Sequence, residues 1–420
     1  MRAVPPQAAV RAGRGERAHV SVRVEPVARR GRPLERAASA VLERALARLE
    51  GGTLEVELPG NTVRRYGVGA PVRLTIHDAA FFRRLATRGK LGLGESYTAG
   101  EWDSDDLVGL FELLLRNADA AGLRHARVRR LLELRPRLHR RNGPARSRRN
   151  IAYHYDLGND LFALMLDETM TYSCAVFERP DMSLADAQRA KYDRLCRLLE
   201  LGPDDHVLEI GCGWGGFARH AAERHDCRVT GITISHEQAA LARERTRGLP
   251  VEILEQDYRA AEGSFTKVVS IEMIEAIGAD QFGTFFATID RVLAPGGRAA
   301  VQTILVPEQR WDRYRRTPDW IERYVFPGCL IPSLEALTAA AASNSRLGIY
   351  GVEEIGEYYA ETLSRWRASF HRRIEEVRRL GYDDRFERTW DFYLAFCEAA
   401  FRMRALRDAQ LLLARPGSRA

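Results

Sequence analysis

His206-Val-Leu-Glu-Ile-Gly-Cys-Gly-Trp-Gly-Gly-Phe217 runs a short apolar strand (Val207, Leu208, Ile210) straight into Gly211, Gly213, Gly215 and Gly216. A helix-like segment from Phe217 to Arg224 follows. Glycine lets the backbone turn sharply here and approach a ligand with no Cβ in between. Strand, glycine loop and helix in that order place a nucleotide-type cofactor at the first crossover of an α/β sheet. The spacing Gly211-x-Gly-x-x-Gly216 also satisfies a dinucleotide fingerprint, so the glycines do not identify the cofactor by themselves.

The neighbours of the loop discriminate. Glu209 lies two residues before the first glycine, where a carboxylate can help hold a cationic, amino-acid-bearing ligand. The next strand, Cys227 to Ser235, ends without the acid that would hold an NAD ribose; Thr233, Ser235 and Gln238 stand there instead. A third strand, Val251 to Glu255, leads into Asp257 and Tyr258, a polar and an aromatic group suited to an adenine. This set fits S-adenosylmethionine better than NAD. The bland alternative is a tight turn that binds nothing.

With 420 residues, 45% of them hydrophobic and 29% charged, the chain has the composition of a soluble globular protein large enough for two domains. No apolar run approaches the ~20 residues of a membrane-spanning helix, and the first residues lack the apolar core of a secretory signal. Six scattered cysteines form no CxxC pair, so neither a metal site nor a disulfide framework is expected, and a cytoplasmic setting is the simplest. The net charge of +7 is unevenly placed, with arginines crowded between Arg116 and Asn150. Such a block suits an anionic membrane surface or a solvated linker. Without aromatic stacking platforms, nucleic acid is not an expected partner.

Residues 1–32 read as disordered, being rich in Arg, Ala, Gly and Pro without periodicity. Leu34 to Leu49 reads as an amphipathic helix, and alternating segments at Leu54–Leu58 and Val72–Ile76 with helices near Ala79–Thr87 and Leu107–Asn117 complete an α+β unit. Residues 33–145 thus form an N-terminal, lipid- or membrane-associated domain with an arginine-rich linker, and 146–420 a larger α/β domain with a doubly wound, mostly parallel sheet. Its expected strands are 207–210, 227–233, 251–255, 267–271 and 298–304, followed by an aromatic insert and long helices from Glu357 to the C-terminus.

Several motifs occur in one order: Gly94-Glu-Ser-Tyr97, Gly100-Glu-Trp102, Tyr153-His-Tyr-Asp-Leu-Gly-Asn-Asp-Leu-Phe162, Tyr172-Ser-Cys-Ala175, the glycine loop, Arg323-Tyr-Val-Phe-Pro-Gly328 and Tyr393-x3-Cys397-x3-Phe401-Arg402. Over about residues 80–410 the chain resembles the cyclopropane fatty-acyl-phospholipid synthase family, with the related mycolic-acid and branched-chain fatty-acid methyltransferases. The resemblance implies a Rossmann-like methyltransferase domain that moves the methyl of S-adenosylmethionine onto a cis double bond of a phospholipid acyl chain. Motif positions imply cofactor contacts from Tyr172, Ser173, Gly211, Gly213, Gly215, Thr233, Ile234, Gln238 and Tyr258. Tyr153, His154 and Asp156 would shape the pocket entrance, and Tyr324 to Phe326 would wall an acyl tunnel.

That chemistry makes demands on the residues. An alkene is a poor nucleophile and must be held in line with the methyl donor. Methylation leaves a carbocation, so a dry, aromatic-walled site with a nearby anion is required. A base then removes a proton. Loss from the new methyl closes a cyclopropane; a prior hydride shift leaves an exocyclic methylene instead, which a partner reductase would saturate.

The resemblance implies bicarbonate as the base, in a cage of Cys174, Glu275, groups near Gln302–Ile304 and Tyr359, and it also marks Cys397; the two cysteines could equally be small core residues. The chain departs from that pattern. It has Ile274-Glu275-Ala276 and Gln302-Thr303-Ile304 where histidines are common, and Glu272 where glycine is common. Glu272 is therefore expected to supplement or replace bicarbonate, the alternative being a carboxylate that caps the next turn. The expected enzyme is a cytoplasmic methyltransferase, peripheral to the inner membrane face and compatible with a homo-oligomer. It makes a cyclopropane acyl chain or a 10-methylene one. A small-molecule or nucleic-acid methyltransferase and a non-enzymatic lipid-binding protein are the competing classes.

Overall fold

The structure, a computed structural model, describes residues 39–117 and 157–417 except 41, 44, 45 and 318. The expected disorder of 1–32, most of the arginine-rich linker, and Tyr153, His154 and Asp156 lie outside the described residues. So does much of the helix expected over Leu34–Leu49; of its described residues 39, 40, 42, 43 and 46 are helical, and 47–48 turn.

The N-terminal unit is a four-stranded sheet with helices on it. Strands β1 (Thr53–Leu58), β2 (Thr62–Gly67) and β3 (Pro71–Ile76) are followed by α1 (Ala80–Arg88), α2 (Lys90–Thr98), β4 (Trp102–Ser104) and α3 (Leu107–Arg116). The sheet order is β2-β1-β3-β4. Leu54, Val56, Leu74 and Ile76 alternate inward as expected of half-buried strands. β2 was not anticipated, because its residues are mostly exposed and carry no apolar alternation.

Next come α4 (Asn159–Met165), α5 (Leu184–Leu199), β5 (His206–Ile210), α6 (Gly216–His225), β6 (Arg228–Thr233), α7 (His236–Arg245), β7 (Val251–Glu255), β8 (Phe265–Ile271), α8 (Phe282–Val292) and β9 (Leu293–Leu305). The chain continues through α9 (Glu308–Tyr314), α10 (Trp320–Tyr324), α11 (Leu334–Asn344), β10 (Gly348–Glu354), α12 (Glu357–Arg372), α13 (Ile374–Arg379), α14 (Asp384–Arg402) and β11 (Arg407–Ala414). The seven-stranded sheet has the order β10-β11-β9-β8-β5-β6-β7. Pairings from β7 through β9 are parallel, and those of β11 with β9 and β10 are antiparallel. α5 and α6 cover one face and α8 and α11 the other, each over its own apolar cluster. The α/β class with a mostly parallel sheet is as expected.

The C-terminus is a correction. Helices were expected to run to the end, yet the chain turns after Arg402 and Arg407–Ala414 inserts between β9 and β10. Asp408 to Leu411 are buried in succession, so the segment lacks the period-2 signature of a one-sided strand. Its register places Asp408 opposite Ile304 and Gln410 opposite Gln302.

A further apolar core joins the N-terminal unit to the C-terminal helices. Phe111 meets Phe392 edge-on at 4.9 Å, and Tyr97 lies 5.6 Å from the same ring. Polar ties flank it: Tyr97 donates to Asp391 at 2.8 Å, and Arg388 donates to the carbonyls of Tyr97 and Trp102. Glu95 accepts from Arg88 and from Tyr324. A Cβ on Gly94 would fall 2.5 Å from the Trp320 ring, so the small residue is a packing requirement. These early motifs therefore hold the two parts of the chain together. Among the described residues, no helix is long and apolar enough to cross a membrane.

Candidate active site

The glycine loop lies at the carboxyl end of β5, next to β8 and β6, the place where open α/β sheets bind ligands. Gly211 has φ +82°, and a Cβ there would stand 2.6 Å from Met273 Cγ. Gly213 has φ +52° and open space where a Cβ would be, a cradle against which a ligand can lie. Below it Glu209 is buried and its Oε2 has no hydrogen-bond partner among the described residues. Burial pushes its carboxyl up to about 8, against the pull of Lys191 and the Ala218 N–H. A buried, half-satisfied carboxyl beside an open glycine loop fits a cationic ligand.

The other expected cofactor residues surround the same strand ends. Thr233 donates to Gln238 at 2.8 Å, with Ile234 half-buried beside them. Asp257 is gripped by Arg259, with contacts of 2.8 and 2.7 Å, so its carboxylate is less available to an adenine than expected. Tyr258 packs edge-on to Phe285, and its hydroxyl has no partner among the described residues. Opposite the loop, Ser173 accepts from Lys191 Nζ at 2.7 Å and gives its carbonyl to Gln188. Lys191 is fully buried on α5, which lowers its ammonium to about 8 although Glu272 and other acids support it. Sequence reading missed it.

The carboxylate of Glu272, just past β8, gathers the cage. Its Oε1 accepts from the Cys174 N–H and from Gln302 Nε2, both at 2.8 Å, and its Oε2 accepts from Tyr359 Oη at 2.5 Å. The backbone supports this placement: Glu272 has φ +48°, where glycine would be the relaxed choice, and its N–H donates to the Gln302 carbonyl. Glu275, one 3₁₀ turn on, accepts from Thr303 Oγ1 at 2.9 Å and the Ile304 N–H at 2.6 Å. Burial, and then the charge of Glu272, push its carboxyl up to about 8. Cys174, Glu272, Glu275, Gln302 and Tyr359, spread over 186 residues of sequence, are thus brought together.

Cys397 lies half-buried on α14, one turn beyond Tyr393. Asp408 was missed and is fully buried behind the cage, accepting from Gln302 Nε2 at 3.3 Å. The available signal was polar Asp408 and Gln410 within an otherwise apolar run. Burial raises the Cys174 and Cys397 thiols, so neither is a ready nucleophile.

Aromatic rings close the far side. Tyr172 pairs its hydroxyl with that of Tyr393 at 2.9 Å, and its ring lies 5.1 Å from Trp366 and 6.3 Å from Phe326. Tyr359 stacks on Phe401 at 4.4 Å. A carboxylate in a donor cage, an aromatic wall and an open glycine loop can together hold a cation, stabilise it and deprotonate it. Bicarbonate does not fit the same cage as built: the donors of Cys174, Gln302 and Tyr359 go to Glu272, and those of Thr303 and Ile304 to Glu275.

Comparison with known proteins agrees with this architecture. The sequence model of the mycolic acid cyclopropane synthetase family matches residues 143–411. The chain is 40% identical over 399 residues to the tuberculostearic acid methyltransferase UfaA1 of Mycobacterium tuberculosis, covering 91% of this chain and 92% of that protein. It is 38% identical over 346 residues to the cyclopropane-fatty-acyl-phospholipid synthase of Escherichia coli, covering 82% and 88% respectively. Among solved structures, the mycolic acid cyclopropane synthase CmaA1 complexed with SAH and CTAB is similar at a TM-score of 0.59 and 29% identity. The match spans 63% of this chain and 97% of that one.

Proposed function

The chain belongs to the mycolic acid cyclopropane synthetase family, and from that premise we propose that its site converts a cis double bond of a phospholipid acyl chain to a cyclopropane, with S-adenosylmethionine as methyl donor. The observation that carries the reading is the Glu272 carboxylate, fixed by Cys174, Gln302 and Tyr359 next to an aromatic wall.

S-adenosylmethionine supplies an electrophilic methyl on a sulfonium centre. Tyr172, Ser173, Gly211, Gly213, Gly215, Thr233, Ile234, Gln238, Asp257 and Tyr258 would hold it, and Glu209 would meet its positive charge. Tyr172, Trp366, Tyr359 and Phe326 exclude water and offer ring faces to the acyl carbocation. Glu272 takes the proton from the new methyl, and the electron pair released closes the three-membered ring. Tyr359 and Gln302 hold the carboxylate in position for that transfer. Glu275, kept largely neutral by burial, limits the negative charge of the cage.

A second product is favoured by one feature. Three donors already engage the two oxygens of Glu272, which leaves fewer lone pairs open to the substrate proton. A slower base gives a hydride time to move onto the cationic carbon, and loss of the methyl proton then leaves a 10-methylene chain. A partner reductase would saturate that product. The enzyme would work at an anionic membrane surface on the cytoplasmic side, reached through the basic segment after Arg116, and could do so as a homo-oligomer.

The test is lipid mass spectrometry, with fragmentation to separate the isobaric cyclopropane and methylene chains, on cells expressing the wild type or Glu272→Gln. The wild type should yield a modified acyl chain. The variant should lose at least about a hundredfold of it while binding S-adenosylhomocysteine normally. Near-normal product from Glu272→Gln would refute Glu272 as the base.

A further inference from the structure

Asp408 has no part in the reaction as described, yet it is placed to govern the base. It is 0% exposed on β11. A single amide, Gln302 Nε2, bridges the two acids, 2.8 Å from Glu272 Oε1 and 3.3 Å from Asp408 Oδ2. Gln302 is itself oriented by Gln410, whose Nε2 donates to its Oε1 at 3.0 Å. Asp408 Oδ1 has no partner among the described residues, and the amide that both acids share sets the two carboxyl groups side by side.

The charged and titratable groups facing Asp408 come from every side of the cage. They are Glu272 after β8, Glu275 in the 3₁₀ turn, Cys174 before α5, Lys191 on α5 and Tyr359 on α12. Lys191 is the one cation in that set, against three carboxyls once Asp408 itself is counted. Two ionised carboxylates this close, with one amide between them, repel strongly in a dry interior. A buried carboxyl oxygen without a partner is equally costly unless it carries a proton and donates it.

We infer that Asp408 is a positioning residue that remains protonated through turnover and donates its carboxyl hydrogen to Glu272, leaving Glu272 the single charged member of the pair. The inference rests on the reading of Glu272 as the base. In each cycle Glu272 receives the substrate proton and returns it to solvent once the product has left, while Asp408 keeps its own. Burial first, and then the charge of Glu272, hold the Asp408 carboxyl well above the ordinary carboxylate range, as the inference requires. At alkaline pH its ionisation would remove the donor and place a second charge against the base.

The experiment follows labelled methyl transfer from S-adenosylmethionine to vesicles of dioleoylphosphatidylglycerol between about pH 6 and about pH 10, for wild type, Asp408→Asn, Asp408→Ala and Glu272→Gln. Asparagine donates as the acid does and cannot ionise. Asp408→Asn should keep neutral-pH turnover within about threefold and lose the alkaline fall, while Asp408→Ala should lose about tenfold or more with S-adenosylhomocysteine affinity unchanged.

An alkaline fall that persists in Asp408→Asn belongs to Lys191 or Glu275 and overturns the inference. So does Asp408→Asn being as impaired as Asp408→Ala. A wild-type profile with no alkaline fall decides against it without any variant. Glu272→Gln separates the two readings: if it remains active, the base assignment fails and this inference with it. If it is inactive while the fall persists in Asp408→Asn, only the Asp408 role fails.

Discussion

Glu209 shows how a single side chain can be legible in sequence while its chemical state is not. Its position before the glycine loop marks it as a ligand group, but only burial reveals a carboxyl held at about 8 with one oxygen unpartnered. Below that value it is largely neutral, and a bound cation favours the ionised form. Cofactor binding should therefore release a proton, with affinity rising as pH approaches about 8 and levelling above it. Calorimetry in buffers of different ionisation enthalpy should detect close to one proton released at neutral pH. Glu209→Gln should abolish the release and weaken binding about tenfold. Proton release that survives in Glu209→Gln would place the titration on Lys191 instead. The cage behaves similarly: Glu272 was visible as a carboxylate in an unusual place, but its three donors come from segments 30 to 98 residues away.

Helix α14 illustrates the scale of elements. A helix was expected in this region, but its role as the clamp between the N-terminal unit and the catalytic side was not legible. Asp391 on this helix accepts from Tyr97, Arg367 and His371 at 2.6–2.8 Å. Burial alone would raise its carboxyl, but His371 and Arg367 outweigh that and hold it below the ordinary range. A depressed carboxyl contributes stability above the unfolded value of about 4, and that contribution is lost as pH falls through the folded value. Asp391→Asn should cost about 3 kcal/mol of unfolding free energy at neutral pH, and the loss relative to wild type should shrink on acidification. Urea unfolding at several pH values checks this; a pH-independent difference would contradict the assignment. β11 makes the complementary point, since burial on both faces erased its strand signature and hid Asp408.

At the scale of the whole molecule, the family match begins at residue 143, after the four-stranded unit. That unit nevertheless shares a core with α14, through Phe81, Trp102 and Phe111 on one side and Trp390, Phe392 and Phe401 on the other. Burial of each such side chain contributes about 1.5–3 kcal/mol. Removing residues 1–145 should uncover an apolar face and give a chain that aggregates or melts far below the intact protein. A soluble truncated chain with an unchanged, cooperative melt would show that the shared core contributes little.

The sequence by itself determined the sheet's alternation of strands and helices and the glycine loop, because strand periodicity and loop chemistry are local properties; the cage residues were expected only through the family resemblance. Only the tertiary structure decided that Gly94 to Trp102 are structural ties and that Asp408 stands buried behind Glu272. Those facts depend on which distant segments share a buried volume. Burial, unlike spacing, sets whether a carboxyl is a charge, a neutral donor or half of an ion pair.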